Sequence, residues 1–584
     1  MPAVPPDHPA STPERSQARV SDARRRRLAG RALPLVAVAI GAFAGGLVVG
    51  AGHKPRERVA AERFLGAWAR ADYGGMYQLL AASSRARLSV GAFTQAYRRS
   101  ANTATLERVR TAGPLRERDG AYEVRLDAVT RRFGTLEGTL RFAVASDEDA
   151  AGVVFERRLV FPGLRDGEAL RRITRMPPRA DLQARDGGVI ATGPDRASQI
   201  GPVAVEIAGR VGPIPAEQAA PYAAKGYRKD AVVGLSGLER QFEARLAGTF
   251  GGSLRAGPRL LAQVQPRQGG PVRTSIDRDI EAAAVTALAG RLGGVAVMRP
   301  ATGEVLALAG LGYSAPQPPG STFKIITLAA GLDAGAVTPK SSFPVETFAT
   351  LSGVELENAN GEACGGSLAV SFAESCNSVF APLGAKLGAA KLVAAAERFG
   401  FNETSDIVGA PPSSIPPAAE IGDDLAVGST AIGQGRVTST PLRMAELTGA
   451  IANGGILVRP TFLRGAQGRR SRATSRATAK TITRFMRGVV EDGTGRAAAI
   501  PGVKVAGKTG TAELGNTVPD PAAGTDPAAS VPAPQDATDT DAWFVAFAPT
   551  RRPAVVVAVL LVGQGAGGET AAPAAKVVLQ GALD

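Results

Sequence analysis

The chain has 584 residues, several times the usual size of one domain, so we expect two to four domains. Its apolar fraction of 44% and charged fraction of 21% are those of a globular protein and exclude a chain that is disordered throughout. Arginine supplies most of the net charge of +15, but no basic stripe alternates with aromatic residues and no nucleic-acid-binding motif is present, so we expect no nucleic-acid partner.

Histidine is almost absent, and this limits the possible chemistry. The only two, His8 and His53, lie at the N-terminal end, so a Ser-His-Asp or Cys-His mechanism in the body of the protein is excluded. The two cysteines, with no histidine downstream, cannot assemble the usual zinc ligands. The sequence therefore predicts no metal and no cofactor.

The N-terminal end predicts a membrane anchor. Residues 1–31 are rich in Pro, Ser, Asp and Arg and have no apolar period, which indicates a disordered tail. Residues 32–52 carry no charge and, as a helix, span about 30 Å of hydrocarbon. A cleaved signal peptide or a buried core helix is the alternative, but the apolar run is longer than a signal h-region and follows a long polar segment. The four arginines Arg24 to Arg27 place the tail in the cytoplasm. We therefore expect a single-pass plasma-membrane protein whose bulk lies outside the cell membrane.

An extracytoplasmic location bears on the two cysteines. Cys364 and Cys376 are close in sequence, and an oxidising compartment permits a disulfide between them. Two free buried thiols are the alternative.

Residues 57–161 combine a helical pattern with strand patterns. Phe64, Leu65 and Trp68 share one helical face, and residues 121–129 alternate apolar and charged side chains as a half-buried strand does. Two more strands are predicted around residues 138–145 and 153–161. The stretches "FLGAWARADYGGMY" and "FTQAY" resemble the NTF2-like domain of certain penicillin-binding proteins, which implies an α+β cone that acts as a stalk.

Residues 162–270 are rich in Gly, Arg and Pro. The stretch "PPRADLQARDGGVIA" and the stretch "GLSGLERQFEARLAGTFGG", which predicts a short amphipathic helix, are similar to the dimerisation module of class B penicillin-binding proteins. The resemblance implies an elongated, non-catalytic module. Arg185-Asp186-Gly187-Gly188 lacks the Asn that the family carries there.

Residues 271–584 predict an antiparallel sheet flanked by helices. "TSIDRDIEAAAVTAL" predicts a helix, "GGVAVMRPATGEVLALAG" two strands around a turn, and residues 542–563 two more strands around a turn at Pro549 to Pro553. A last helix is expected near "TAAPAAKVVLQGAL". Residues 514–540 predict a mobile loop that is either a partner site or without a role. The fold class is thus multidomain α+β and α/β.

Three motifs follow one another in the last module. Ser321 and Lys324 stand three residues apart, Ser375-Cys376-Asn377 comes next, and Lys508-Thr509-Gly510-Thr511 is last. The first pair alone could be a helix start capped by a serine. The ordered trio arises by chance in roughly one in several hundred such sequences. It resembles the SxxK, SxN and KTG motifs of penicillin-binding proteins and class A β-lactamases, and "STAIGQGRVTSTPLRMAELTGAIANGG" and "EDGTGRAA" extend the likeness to class B transpeptidases.

Each motif has a physical reason. Ser321 should lie in the first turn of an apolar helix, with Lys324 one turn on and within reach of its hydroxyl. A lysine acts as a base only if burial and nearby cations lower its pKa, whereas arginine effectively never loses its proton. In a chain that prefers arginine, lysine at both 324 and 508 fits this requirement.

The resemblance implies a role for each residue. Ser321 is the nucleophile, Lys324 its base, and Ser375 a proton relay to the leaving amine. Asn377 orients Lys324 and binds the peptide, and Lys508 attracts the substrate carboxylate. Thr509 and Thr511 bind that carboxylate or the side of the peptide, next to Gly510. The N–H groups of Ser321 and Thr511 form the oxyanion hole.

The function implied is a membrane-anchored D,D-transpeptidase that cross-links peptidoglycan stem peptides and is acylated by β-lactams, beside a SEDS-type glycosyltransferase. A class A β-lactamase would need a Glu-x-x-Leu-Asn segment after "SCN", and a bifunctional protein would need a glycosyltransferase motif before residue 271; neither is present. A D,D-carboxypeptidase, a β-lactamase that uses the same serine, and a non-catalytic β-lactam or peptidoglycan receptor remain as alternatives.

Overall fold

The protein is described here by a computed structural model, which covers residues 54–147, 150–199, 207–513 and 540–584. The predicted tail 1–31, the predicted membrane helix 32–52 and nearly all of the predicted loop 514–540 lie outside these residues. Among the described residues, no single helix is long and apolar enough to cross a membrane. Helices Asn377–Leu387 and Ala389–Arg398 reach that length and hydropathy only as a pair, which is bent by 100°.

The chain forms two compact units. The first contains the described residues up to Ile173 together with Ser253–Val264, and the second contains Thr174–Gly252 and Gln265–Asp584. Residues 253–264 join the first unit because strands Gly251–Ala256 and Arg259–Val264 continue a sheet from strand Leu170–Arg175. The predicted module bounds 57–161, 162–270 and 271–584 stay predictions.

The first unit packs helices against a curved antiparallel sheet. Its helices are Arg56–Ala69, Tyr73–Gln78, Ala82–Arg85 and Val90–Ala104. Strand Ala121–Thr130 pairs with Leu106–Thr111, Arg116–Arg118 and Gly134–Phe142, and Val144–Ser146 pairs with Ala151–Val153. The apolar face of the first helix, with Phe64, Leu65 and Trp68, is buried against the alternate residues of the long strand, as the periodicities predicted.

The strand predicted over residues 153–161 is wrong. Only Ala151–Val153 is a strand, and Arg157–Val160 is a 3₁₀ helix. Side chains of neighbouring helices form hydrogen bonds with backbone atoms of this segment that a strand partner would otherwise form. The Tyr97 hydroxyl donates to Leu159 O at 3.0 Å, and Phe155 N donates to Ser84 Oγ at 3.0 Å.

The second unit begins with short elements. Strands Val272–Arg273, Leu182–Gln183 and Val189–Ala191 form one small sheet, and Val211–Pro213 pairs with Val232–Gly234. The helix predicted in "GLSGLERQFEARLAGTFGG" is two short helices, Gly237–Gln241 and Glu243–Leu246. Phe242, with a φ of −108°, separates them. Glu239 pairs with Arg179 and Arg196, and Glu243 pairs with Arg179.

A five-stranded antiparallel sheet organises the rest of the second unit. Its order is Val305–Gly310, Gly293–Met298, Val555–Leu561, Thr540–Ala548 and Ala506–Glu513. Alternate residues of Thr540–Ala548 enter two different cores, with Trp543 on one face and Phe544 on the other. The sheet is therefore covered on both faces, as the sequence predicted for a sheet flanked by helices.

Helices cover the two faces of this sheet. Arg278–Leu288 and Ala571–Leu583 pack on one face, and the helices Lys324–Asp333, Asn377–Leu387, Pro441–Ala452 and Arg476–Glu491 contribute to the core on the other. Further helices of this unit are Ala219–Ala224, Leu368–Ala373, Ala389–Arg398, Ala418–Ile421 and Asp424–Ala431. Its further strand pairs are Ser342–Glu346 with Cys364–Ser367, Phe348–Leu351 with Val354–Glu357, and Ile456–Val458 with Arg470–Arg472.

A buried ion network holds helix Pro441–Ala452 in place. Glu446 accepts from Arg443 Nη1 at 2.6 Å and from Arg459 Nη1 at 3.2 Å, and all three side chains are almost fully buried. Removing the carboxylate leaves two buried guanidinium groups without this partner.

We predict that Glu446→Gln lowers the free energy of unfolding by about 3–5 kcal/mol. Chemical denaturation of the full chain in detergent measures this. The control is Glu420→Gln, which removes the exposed partner of Arg436 and should change stability by less than about 0.5 kcal/mol. Equal midpoints for wild type and Glu446→Gln would contradict the prediction.

Candidate active site

Ser321 and Lys324 lie where a 3₁₀ turn, Gly320–Phe323, runs directly into helix Lys324–Asp333. Ser321 is half-buried, whereas Lys324 has none of its surface exposed. In this part of the described chain, no side chain caps the start of the turn or of the helix, so the alternative of a serine cap is wrong.

The turn that carries Ser321 is packed directly against the strand that carries the KTG motif. Gly320 has a φ of +51°, and a Cβ there would lie 2.4 Å from Thr511 O. A Cβ at Gly510 would lie 2.9 Å from Pro319 O. The indole Nε1 of Trp543 donates to Pro318 O at 2.8 Å, which fixes the loop ahead of the turn. Only glycine allows this approach, and it brings the backbone of Ser321 next to that of Thr511.

The Lys324 amine is fully buried. Its Nζ donates to Ser375 O at 2.6 Å and to Asn377 Oδ1 at 2.7 Å, and it lies 3.3 Å from Ser375 Oγ. Burial, and after it the positive charge of Lys508, holds the pKa of Lys324 well below its ordinary value. Three oxygen atoms of the SxN motif therefore surround this amine.

Ser375 bridges the two lysines. It lies in the break between helices Leu368–Ala373 and Asn377–Leu387 with a φ of +66°, and its Oγ accepts from Lys508 Nζ at 2.8 Å. Burial lowers the pKa of Lys508 to about 7, an effect that the Glu374 carboxylate opposes. Lys508, Ser375 and Lys324 therefore form one chain of hydrogen bonds across the site.

Both the oxygen and the nitrogen of the Asn377 side-chain amide form hydrogen bonds. Its Oδ1 accepts from Lys324, and its Nδ2 donates to Glu357 O at 2.8 Å. Asn358 reinforces this contact, because its Oδ1 accepts from Ser378 N at 2.9 Å. These bonds join the Val354–Glu357 hairpin strand to the SxN motif.

Cys364 and Cys376 form a disulfide with their Cα atoms 5.4 Å apart. Cys376 stands between Ser375 and Asn377, so the bridge ties the motif to strand Cys364–Ser367. The Ser378 hydroxyl, which donates to Cys364 O at 3.2 Å, supports the same connection.

The KTG strand presents its remaining side chains beside Lys508. Thr511 Oγ1 accepts from Gly567 N at 3.3 Å, and Thr509 Oγ1 lies 2.6 Å from Thr494 Oγ1. Sequence reasoning gave no site role to Asn358 or Thr494. The second lies in "EDGTGRAA", whose likeness to transpeptidases was a signal; no comparable signal marks Asn358. No cluster of His, Cys, Asp or Glu among the described residues could hold a metal ion.

The disulfide predicts a result for thiol labelling. Denatured protein without reductant should take up no iodoacetamide, and reduced protein should take up two equivalents, one for each of the two cysteines. Mass spectrometry of the intact chain measures this. Two labels on the unreduced protein would show free thiols instead.

The lowered pKa of Lys508 predicts a pH-dependent stability. Between pH of about 7 and its ordinary value of 10.5, the unfolded chain holds a proton on this lysine that the folded chain has released. The stability contributed by Lys508 therefore rises with pH across this window, by at most about 1.4 kcal/mol per pH unit, and is flat below it. The free energy of unfolding of wild type minus that of Lys508→Met should follow this slope in denaturation from pH 6 to 10.

Lys508→Arg is the control for this measurement, since a guanidinium keeps its proton throughout the range and should also lose the slope. A constant difference between wild type and Lys508→Met would contradict the prediction.

Comparison with known proteins gives matches over most of the second unit. Residues 293–580 match the penicillin binding protein transpeptidase domain, and residues 175–256 match the penicillin-binding protein dimerisation domain. Peptidoglycan D,D-transpeptidase PbpA of Mycobacterium tuberculosis is 38% identical over 295 residues, which are 46% of this chain and 55% of that protein. The chain thus spans about half the length of this relative.

Two further matches extend over a larger share of the relatives. PbpA of Mycolicibacterium smegmatis is 33% identical over 428 residues, which are 61% of this chain and 78% of that protein. The penicillin G acyl-enzyme complex of penicillin-binding protein A from M. tuberculosis has a TM-score of 0.53 and 28% identity, and covers 70% of this chain and all of that one. The chain therefore belongs to the penicillin-binding protein family, with a transpeptidase domain and a dimerisation domain.

Proposed function

We propose that this protein is a peptidoglycan D,D-transpeptidase that works through an acyl-enzyme on Ser321. The observation that carries the proposal is the Lys324 amine, which is fully buried, held by Ser375 and Asn377, and one turn from a half-buried serine. Ser321 stands one helical turn from this amine, whose pKa burial lowers, and an adjacent base of lowered pKa is what activates a serine nucleophile. The matched relatives, named as D,D-transpeptidases, support the same reaction.

In the first step, the Ser321 oxygen attacks the carbonyl carbon between the two D-Ala residues of a stem peptide. The serine proton passes to the lone pair of Lys324 as the new C–O bond forms. The N–H groups of Ser321 and Thr511, which lie on segments in direct contact at Gly320, receive the oxyanion.

Collapse of this intermediate breaks the peptide C–N bond. The proton on Lys324 moves through the Ser375 hydroxyl to the leaving nitrogen, and D-Ala departs. Lys508, hydrogen-bonded to the same hydroxyl, keeps Ser375 oriented for this transfer. The amine of a second stem peptide then attacks the acyl-enzyme ester, loses its proton by the reverse route, and frees Ser321 with a new cross-link. A β-lactam amide enters the same first step and leaves Ser321 acylated.

The rest of the chain fits an anchored enzyme. We propose that residues 32–52, an uncharged apolar run that follows four arginines, form a single membrane span with a cytoplasmic tail and with the second unit on the other side. The helices and curved sheet of the first unit supply an NTF2-like stalk. A SEDS-type glycosyltransferase is the partner that would provide the glycan strands.

Labelling with fluorescent penicillin tests the serine and its base. Wild type should be labelled, and Ser321→Ala should show no label. Lys324→Arg should lose most labelling, at least about a hundred-fold in rate, because a guanidinium cannot accept the serine proton. The exposed Lys386→Ala, on the helix after the SxN motif, is the control and should be labelled like wild type. Labelling of Ser321→Ala at the wild-type level would overturn the assignment.

Measuring the products formed from a peptide substrate distinguishes transpeptidation from the other reactions that an acylated serine can undergo. With a D-Ala-D-Ala pentapeptide and an amine acceptor, the protein should release D-Ala and form the transfer product. Release without transfer indicates a carboxypeptidase, rapid loss of the penicilloyl group indicates a β-lactamase, and stable penicilloylation without peptide release indicates a receptor.

A further inference from the structure

A basic groove lies on the surface of the first unit. It is formed by helix Val90–Ala104 and strand Leu170–Arg175 and has a volume of about 770 Å³. Three arginines line it: Arg98 and Arg99, exposed on the helix, and Arg172, half-buried on the strand. Among the described residues, no aspartate or glutamate lines this surface, and the ion pairs of the first unit all lie elsewhere. We call it the arginine groove.

Arg172 is fixed by the end of the helix. Its Nη1 donates to Asn102 O at 3.0 Å and to Thr103 O at 3.4 Å. These carbonyl groups belong to the last turn of helix Val90–Ala104, where the helix dipole favours a positive charge. Both bonds come from one nitrogen, and a guanidinium carries five N–H donors on three nitrogens. The rest of the guanidinium can therefore bind a ligand in the groove.

More positive charge lies close to Arg172. Burial, and after it the charges of Arg172 and Arg131, lowers the pKa of Arg132. Burial, and after it the charge of Arg131, lowers the pKa of Arg172 in the same way. Like charges held this close repel one another, which opposes folding of the unit. A ligand with negative charge would reduce this repulsion, so the groove favours an anion.

The high arginine content of the chain does not by itself explain this surface. A second groove of the first unit, about 650 Å³ in volume, is lined by Arg63 and Arg70 together with Glu62 and Asp72. Among its described lining residues, positive and negative charges are equal in number. Two grooves of similar size in one unit thus differ in charge, and the arginine groove is the one that favours an anion.

The length and the uncharged residues of the arginine groove narrow the choice of anion. Its lining runs along the helix from Val90 to Thr103, which is about 20 Å at 1.5 Å per residue. Thr94, Gln95 and Asn102 lie along the same surface and can form hydrogen bonds with hydroxyl groups. Among the described lining residues, none is aromatic, which disfavours stacked nucleic-acid bases, and Val90 is the one large apolar residue, which disfavours an acyl chain. The surface therefore suits a long, hydroxyl-rich anion.

We propose that the arginine groove is a binding site for a polyol phosphate, an anionic polymer whose phosphodiester groups alternate with carbons that carry hydroxyl groups. The three arginines bind the phosphate oxygens through pairs of N–H donors, and Thr94 and Gln95 bind the hydroxyl groups. The site uses none of the residues around Ser321, so it goes beyond the proposed function and does not depend on it.

Binding of fluorescein-labelled poly(glycerol phosphate) to the full chain in detergent, followed by fluorescence anisotropy, tests this site. Wild type should bind, and added salt should weaken the binding. The double variant Arg98→Ala/Arg99→Ala should bind at least about ten-fold more weakly, because charge-assisted hydrogen bonds are lost. The matched control Arg63→Ala/Arg70→Ala removes the same charge from the second groove and should stay within about two-fold of wild type.

Circular dichroism and thermal unfolding show whether both double variants are folded. If Arg98→Ala/Arg99→Ala does not fold, Arg98→Gln/Arg99→Gln repeats the test with longer side chains. No binding by wild type, or equal weakening in the alanine variants of the two grooves, overturns the site. Penicillin labelling of the same samples reports on Ser321 separately: its absence in wild type overturns the proposed function and leaves the binding result unchanged.

Two further comparisons test the chemistry of the ligand. Gln95→Ala should weaken binding of poly(glycerol phosphate) by about three-fold or more, but not binding of inorganic polyphosphate, which has no hydroxyl-bearing carbons. Equal effects on both polymers would contradict a polyol site. Unlabelled poly(glycerol phosphate) should displace the labelled polymer at a lower phosphate concentration than phosphatidylglycerol in mixed micelles or single-stranded DNA. If the lipid or the DNA competes better, the groove binds a membrane surface or a nucleic acid and the proposal is wrong.

Discussion

The burial of one amine, that of Lys324, is the constraint on which the active site depends. Burying a lysine as a cation costs free energy. Its neutral form can act as a base only if its protons are bonded to fixed acceptors and its lone pair faces the group that gives up a proton. Two acceptors, Ser375 O and Asn377 Oδ1, take the protons. The helix that begins at Lys324 is buried almost all round, which keeps water from the amine. Packing thus encloses this amine one helical turn from Ser321.

The candidate site also requires that the KTG strand and the SxN segment, which are far apart in sequence, face each other at hydrogen-bond distance. The KTG strand is at the edge of the five-stranded sheet, and its inner neighbours are buried along their whole length. Such a strand cannot shift its register without moving every side chain to the wrong face. The SxN segment is fixed separately, by Glu357 and by the disulfide. The geometry of the site therefore comes from a rigid sheet and a cross-linked helix start.

The sequence identified the side chains of the candidate site but not the contacts that support them. Motif order and the scarcity of histidine were enough to select Ser321, Lys324 and Lys508, and the turns between apolar runs were enough to predict the strands around Met298 and Trp543. Contacts between segments far apart in sequence, such as Asn358 to Ser378 or Thr494 to Thr509, have no local pattern. Residues 153–161 show the same limit, since they form hydrogen bonds with side chains of helices far away in sequence.

Ser375 shows why those supports matter. Its φ of +66° is rare for a residue with a Cβ and costs of order 1–3 kcal/mol, so the surroundings must over-determine it. The restraints lie on both sides: Cys376 N donates to Ser371 O at 2.9 Å, the disulfide holds Cys376, and Asn377 is bonded at both ends of its amide. In return, the left-handed residue presents its carbonyl and its hydroxyl to Lys324 at once, and the hydroxyl also to Lys508. The left-handed backbone is thus the conformation in which this one residue contacts both lysines.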